Sequence, residues 1–533
     1  MYSKDRNSIM KYIVIFFFLL FVFTSCIENN KSENNIIYSI PEHNKINALY
    51  NDKISIDFSY DDINDSNITQ PYICWYKNAI EIKCGADDFN ILSEQDAESV
   101  FTVTVIPKPS SVTFRKTKTD TIYIKQMIDP TNIQESFSRY INVYTDKMRD
   151  YLKKNDNGYS NTIILYEVQV HLQNAAIYAD ERADIDMLHR ILNLVKIAFE
   201  DQSLSNGMWL DSVGNREGTE EDLFIAQFFG LLTRVLSACE RHGIDTDFSQ
   251  NDIEIIQSHI NNWVNEEVNL RRINDLNLFT IISILQFHDY LQQINYKNSD
   301  FLKWKKYVED YMRFSVEPKL EQSTCVYSDN NYSCGALDRT GFSTHPDFAY
   351  AGYGRELKKI SSDSISYAMF NEDGIAKHPK KTVPKVSMDL SHARRVNWFY
   401  EVIKRFGQSF NVSLSENTIQ SWANNLAFRV SRGSLDNPYF TTFSDGIDGW
   451  YRVNYRDREH FGYEPGEMDI HFVGSSYGFF GIYNPKIYDW MESWVDNNKS
   501  STFETSYASG NKLDYLLSLL IDIRKPLIGI NIN

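Results

Sequence analysis

Four segments of the chain gather side chains that can move protons or hold charge. Residues 342–356 (FSTHPDFAYAGYGRE) carry His345, Tyr350, Tyr353 and Arg355. Residues 388–395 (MDLSHARR) carry His392, Arg394 and Arg395 behind Asp389 and Ser391, which can cap a helix that starts there. Residues 437–463 hold Asp445, Asp448, Trp450, Tyr451, Arg452, Tyr455 and Tyr463 among glycines. Residues 207–222 place Trp209, Asn215 and Arg216 beside Asp211, Glu217, Glu220, Glu221 and Asp222. Taking a proton from the carbon next to a carboxylate needs a base, an acid for the leaving oxygen and a cation or amide that neutralises the carboxylate. Histidine and tyrosine supply the first two roles, and arginine or asparagine the third. His345, Tyr350, Tyr353 and His392 are therefore the candidate proton-transfer groups. Arg355, Arg395 and Arg452 are the candidate carboxylate holders. Trp209, Asn215, Arg394, Asp445, Asp448, Trp450, Tyr451 and Tyr455 are candidate substrate contacts, because flat rings stack on sugar faces and polar groups hold hydroxyls.

The same residues admit other uses. Glycoside hydrolysis needs two carboxyl groups flanking the bond, and Glu217, Glu221, Asp389, Asp445 and Asp448 are the candidates. Glycan binding without chemistry would use the aromatic loops alone. Each segment also has a plain structural role: acids at a helix start are favoured by its dipole, and tyrosine-rich loops and hairpins pack on a core. Lys377, Lys380, Lys381, Lys385, Arg394 and Arg395 form a basic cluster in an acidic chain, a field that draws anions. The net charge of −17 argues against general nucleic-acid binding. There is no glycine-rich phosphate loop, no Gly-x-Ser-x-Gly elbow and no His-Glu-x-x-His helix, and no cofactor or metal is expected.

These loops must be held by a large scaffold. The 533 residues are 42% hydrophobic and 14% aromatic, enough for more than one domain. Residues 37–127 read as strands, with KISIDFSY, YICWYKNAIEI, SVFTVTVI and DTIYIKQM separated by polar clusters. From 128 to the end the texture is helical. Helices are predicted over 131–154, 161–179, 184–200, 219–242, 250–267, 274–294, 298–315, 389–407, 415–431, 487–496 and 511–524. In 184–200 the stripe is Ile185, Leu188, Ile191, Leu192, Val195 and Phe199. Asp222 lies three residues after Thr219, a capping arrangement for the helix predicted there.

The first residues set the compartment. Lys4, Arg6 and Lys11 precede an apolar run from Tyr12 to Phe23, the layout of a secretory signal. The run is shorter than the ~20 residues that span a bilayer. Phe23-Thr24-Ser25-Cys26 resembles the lipobox of bacterial lipoproteins, with Phe in place of the usual Leu. That resemblance implies cleavage at Cys26, lipidation of its thiol and, with Ile27 next, sorting to the outer membrane; the expected location is the cell envelope, lipid-anchored at the outer membrane, the periplasmic face or the cell surface. Residues 27–36 would then be a tether. Cys74 and Cys84, and Cys325 and Cys334, are pairs close enough in sequence to form disulfides in an oxidising compartment. Cys239 lies in an apolar stretch and reads as a buried small hydrophobe.

Cys74-Trp75-Tyr76-Lys77-Asn78 resembles the strand of immunoglobulin-like domains that carries a Trp beside a Cys, which implies a small N-terminal β-sandwich. The second cysteine is too near for the usual inter-sheet bridge, so a hairpin disulfide fits better. The helical hairpins broken by long aromatic loops resemble the (α/α)-toroid carbohydrate-active enzymes: polysaccharide lyases, uronyl epimerases and some glycosidases. Asp389-x-Ser391-His392 at a helix start is similar to stretches in toroid lyases. An α-solenoid would show a regular period and short loops. The expectation is a multidomain lipoprotein with a β-sandwich (37–127) and an (α/α)-toroid (128–533), acting on an anionic polysaccharide.

Overall fold

The computed structural model describes residues 36–38, 44–50, 53–55, 58–60, 72–85, 89–106, 118–153, 162–199, 204–205, 208–209, 220–265, 273–317, 320–337, 348, 350–351, 385–452, 463–498 and 512–523. The chain forms two compact units, residues 1–130 and 131–533. The signal, Cys26, residues 27–35 of the tether, Asn215, Arg216, Glu217, Thr219, His345, Tyr353, Arg355 and Tyr455 lie outside the described residues. So do the side chains of Trp209, Glu221, Asp222 and Tyr350.

Among the described residues the first unit has nine strands: β1 (Ile36–Tyr38), β2 (Asn44–Leu49), β3 (Lys53–Ser55), β4 (Phe58–Tyr60), β5 (Tyr72–Lys77), β6 (Ile80–Gly85), β7 (Phe89–Ile91), β8 (Ser99–Ile106) and β9 (Lys118–Ile128). Five form one sheet in the order β2-β9-β8-β5-β6, parallel only between β2 and β9. β1 pairs with β4 and β3 with β7. Alternation along β5 and β8 sends Ile73, Trp75, Phe101 and Val103 into a core with Ala48, Leu92 and Ile124. Cys74 and Cys84 face each other across β5 and β6 and are disulfide-bonded, the hairpin bridge that their spacing predicts.

The second unit is mainly helical. Its helices are α1 (Pro130–Tyr151), α2 (Ile163–Arg182), α3 (Ile185–Lys196), α4 (Glu220–Arg241), α5 (Gln250–Asn265), α6 (Asp275–Gln293), α7 (Phe301–Tyr311), α8 (Leu390–Phe406), α9 (Glu416–Asn425), α10 (Asp469–Val473), α11 (Lys486–Asn497) and α12 (Lys512–Ser518). Two kinds of helix alternate. In α3, Leu188, Ile191, Leu192 and Val195 are buried while Asp186 is exposed, the pattern of a helix with one covered face. In α2, α4, α6 and α8 residues are buried nearly all round, so these four lie inside. α2 packs on α4, α4 on α6 and α6 on α8. A 3-10 segment, Ser476–Ile482, packs on α8 and on α12, and α12 packs back on α2.

The inner helices are joined by polar contacts as well as apolar ones. Trp398 Nε1 donates to Asn174 Oδ1 (2.8 Å) and Thr233 Oγ1 to Gln286 Oε1 (2.9 Å). Near their C-terminal ends sits a buried charge network. Arg234 pairs with Asp180 and Glu401, Arg405 with Glu401 and Glu181, and Arg241 with Asp180 and Asp289. Burial pushes the Asp180 carboxyl up, but Arg241, His242, Arg234 and Arg405 together hold it below the carboxylate range. The four helices therefore run the same way, and their N-terminal ends gather at the opposite end.

Two strands, Leu320–Tyr327 and Asn330–Leu337, form a hairpin where the sequence shows only loop, closed by the Cys325–Cys334 disulfide. Cys239 is a buried free thiol whose pKa burial pushes up to about 12, so it stays protonated.

Candidate functional site

The N-terminal ends of the inner helices surround a cavity of about 390 Å³. Ile163 and Tyr166 reach it from α2, Leu223, Phe224 and Gln227 from α4, and Asp275 from α6. Ser391, His392, Arg394 and Arg395 line it from α8, and Met468 and His471 from the start of α10. Tyr451, Arg452 and Tyr463 complete the wall. Helix N-termini carry unpaired N–H groups and a partial positive charge, so the site favours anions before any side chain is counted.

Asp389 organises the α8 end. As the cap residue it accepts from the Ser391 and His392 amides (3.0 and 3.3 Å) and from Ser391 Oγ (2.6 Å). Its second oxygen lies 2.7 Å from His392 Nδ1. Burial pushes the Asp389 carboxyl up, but His392, Ser391 and Arg452 outweigh it and hold the group well below the carboxylate range. An ionised Asp389 can only accept, so Nδ1 of His392 donates to it and Nε2 is the ring nitrogen left for another partner. Tyr451 Oη lies 3.2 Å from Nδ1, and Arg452 Nη2 lies 3.5 Å from Nε2. Arg452 adopts φ 58°, a left-handed conformation uncommon for a bulky residue and often held at functional sites.

The loop that carries Tyr451 is stitched to the start of α8. Asp389 bridges Phe443, Leu390 N donates to Thr442 O (3.0 Å) and Ser444 N to Met388 O (2.9 Å). Asp445 and Asp448, candidates for sugar contact, take part in this stitching. Asp445 accepts from the Ser387 and Ile447 amides, and Asp448 from Thr442 and Gly449. Trp450 is wholly buried and also outside the cavity wall. Its strand, Gly449–Trp450, pairs with Tyr350–Ala351. Residues Tyr350–Ala351 thereby lie beside the Tyr451 loop, and the Phe348 and Tyr451 ring centroids are 5.6 Å apart.

The arginines differ in their state. Arg395 is ion-paired with Asp275 at the start of α6. Arg394 is 2% exposed and lies under Trp398, its Cζ 5.7 Å from that ring. His471 is neutral, because burial and then Arg394 lower its pKa to about 3.

Of the candidates named from the sequence, His392, Arg394, Arg395, Tyr451 and Arg452 line this cavity. Sequence reasoning missed Tyr166, Gln227, Asp275 and His471. The available signal was a polar residue inside an apolar run, as Gln227 is in FIAQFFGLL. Comparison with family models, with curated proteins and with solved structures finds no match for this chain.

Proposed function

We propose that this protein is an exported lipoprotein that acts on an acidic polysaccharide by taking the proton next to a uronic carboxylate, as a lyase or a uronyl C5-epimerase. The observation that carries the reading is His392, fixed by Asp389 and set with Tyr451 and Arg452 in a cavity ringed by helix N-termini. His392 Nε2 is the base. A substrate carboxylate takes the guanidinium of Arg452 away from Nε2, which neutralises the anion and frees the lone pair in one movement. Tyr451, whose hydroxyl lies beside Nδ1, serves as proton donor to the leaving oxygen or to the opposite sugar face. Tyr350, with His345 and Tyr353 on the same segment, supplies further proton-transfer groups.

The fold reading goes with it. The circuit of packed helices α2, α4, α6 and α8, continued by the 476–482 segment and α12 back to α2, supports an (α/α)-toroid. The five-stranded sheet with its buried Trp75 supports an immunoglobulin-like sandwich. Two disulfides support an oxidising compartment, and the lipobox-like Cys26 a lipid anchor. Hydrolysis has less support. Asp275 is the single carboxylate among the described lining residues, and it is held by Arg395.

Incubation of the protein with a panel of polyuronides tests the reading. Ultraviolet absorbance from an unsaturated uronide, or inversion beside the carboxylate without cleavage, is expected. New reducing ends that lack this absorbance would point to hydrolysis instead.

A further inference from the structure

Three of the residues that line the cavity carry polar atoms with no hydrogen-bond partner among the described residues. Of the buried arginines described, Arg234, Arg395 and Arg405 are each ion-paired. Arg394 is not: among the described residues no carboxylate lies within ion-pairing distance, and its Nε has no hydrogen-bond partner. Burial disfavours its charge; through space Tyr166, Asp514 and Tyr477 favour it and Arg395 opposes it. Gln227 is wholly buried, and neither its amide oxygen nor its amide nitrogen has a partner. Nδ1 of His471 is likewise unpaired. All three residues line the cavity.

Buried polar groups in native proteins are nearly always hydrogen-bonded, and exceptions need a reason. A buried guanidinium without a counter-ion is the costliest kind. Unpaired groups that converge on one cavity are explained together if a ligand completes them. Arg394 calls for an anion, and its planar fork matches a carboxylate. Gln227 offers a donor and an acceptor, the complement of a hydroxyl group. His471, neutral, can take either role.

We infer that the inner end of the cavity is a receptor for one carboxylated sugar unit, with Arg394 holding its carboxylate and Gln227 an adjacent hydroxyl. This rests on the proposed function for the sugar class but not for the chemistry. It also separates the arginines: Arg394 holds the carboxylate of this unit, Arg452 meets the carboxylate of the unit at the base, and Arg395 is committed to Asp275.

The test is calorimetric titration of the full chain with glucuronate, with galacturonate and with a dimer of each, against the corresponding neutral sugars. The uronates bind measurably tighter than the neutral sugars. Arg394→Gln weakens uronate binding at least tenfold and removes the preference for the acid. Gln227→Leu, close in size and without polar atoms, weakens it severalfold. Both variants keep or raise the thermal midpoint, because Arg394→Gln removes a buried charge and Gln227→Leu a buried amide without partners. A purely structural arginine or glutamine would instead lower it when replaced. Unchanged uronate affinity in Arg394→Gln overturns the assignment, as does a lowered midpoint in both variants or equal binding of acid and neutral sugars. Uronate binding lost in Arg394→Gln, with no elimination or inversion on any polymer, would leave this receptor standing and remove the proposed reaction. Elimination that proceeds with unchanged KM in Arg394→Gln would do the reverse.

Discussion

Replacing Asp389 by asparagine separates the two jobs of this carboxylate, capping α8 and fixing the tautomer of His392. Asparagine caps a helix about as well as aspartate, whereas alanine costs ~1 kcal/mol. The amides of Ser391 and His392 keep an oxygen acceptor at 3.0 and 3.3 Å. What is lost is the charge on the bond to Nδ1, a difference of about 1 kcal/mol between charged and neutral hydrogen bonds. Relief of a buried charge offsets part of that, so the variant folds with at most a small loss of stability. The chemistry changes far more. With Oδ1 occupied by the amides, the asparagine NH₂ faces Nδ1, which must then accept, and the ring proton moves to Nε2. There it meets Arg452 Nη2 at 3.5 Å, also a donor, and no lone pair remains for the substrate. Loss of the orienting carboxylate in an Asp–His pair lowers turnover by about 10⁴-fold in the serine proteases, and ~10²–10⁴-fold is expected here. Nitrogen chemical shifts of a histidine-labelled sample would show the tautomer change with no substrate present, and polyuronide turnover gives the rate. An unchanged tautomer, or full turnover in the variant, would refute the assignment of Asp389 and His392.

Other consequences can be checked by unfolding measurements. Arg234→Met leaves Asp180 and Glu401 with a partner removed inside the helical core; a loss of about 3–5 kcal/mol in denaturant titration is expected, and a change under about 1 kcal/mol would contradict the role given to the network. Gly478→Ala would put a Cβ 2.5 Å from Ser518 Oγ and 2.9 Å from its backbone, forcing the 476–482 segment off α12; a cost of about 1–3 kcal/mol follows, with exchange protection lost first in α12. His171, stacked on Tyr140 and Tyr144, has its pKa lowered to about 3 by burial and by Arg394 and Lys147. Between the unfolded value near 6.5 and about 3 the unfolded chain binds the extra proton, so stability falls as pH drops through that window. His171→Phe keeps the stacking and flattens this acid limb; an unchanged pH dependence would count against it.

Much of the scaffold was legible because burial imposes periodicity. The stripe through Leu188, Ile191, Leu192 and Val195 gave α3 its place, and Asp184 caps it as a helix start should. The long apolar runs of α4 and α6 read as helices for the same reason. The 320–337 hairpin was not legible, because its strands are largely exposed and LEQSTCVYSDNNYSCGAL shows little alternation. α10 has five residues, too few for a period to show. The site was half legible. Local loops announced His392, Tyr451 and Arg452 through their density of reactive groups. Tyr166, Gln227, Asp275 and His471 come from four separate helices and meet only because those helices converge, which no local window contains. Asp445 and Trp450 are residue types suited to sugars, and their burial and contacts here help hold a loop in place.

The central claim is that His392 takes the proton beside a uronic carboxylate. Proton NMR of polyuronides incubated with the protein in D₂O tests it directly. The account predicts that the proton on that carbon disappears, replaced by deuterium or lost as the unsaturated product forms, and that His392→Ala stops this. Retention of that proton in every polyuronide tested, or its loss at the same rate in His392→Ala, would contradict it.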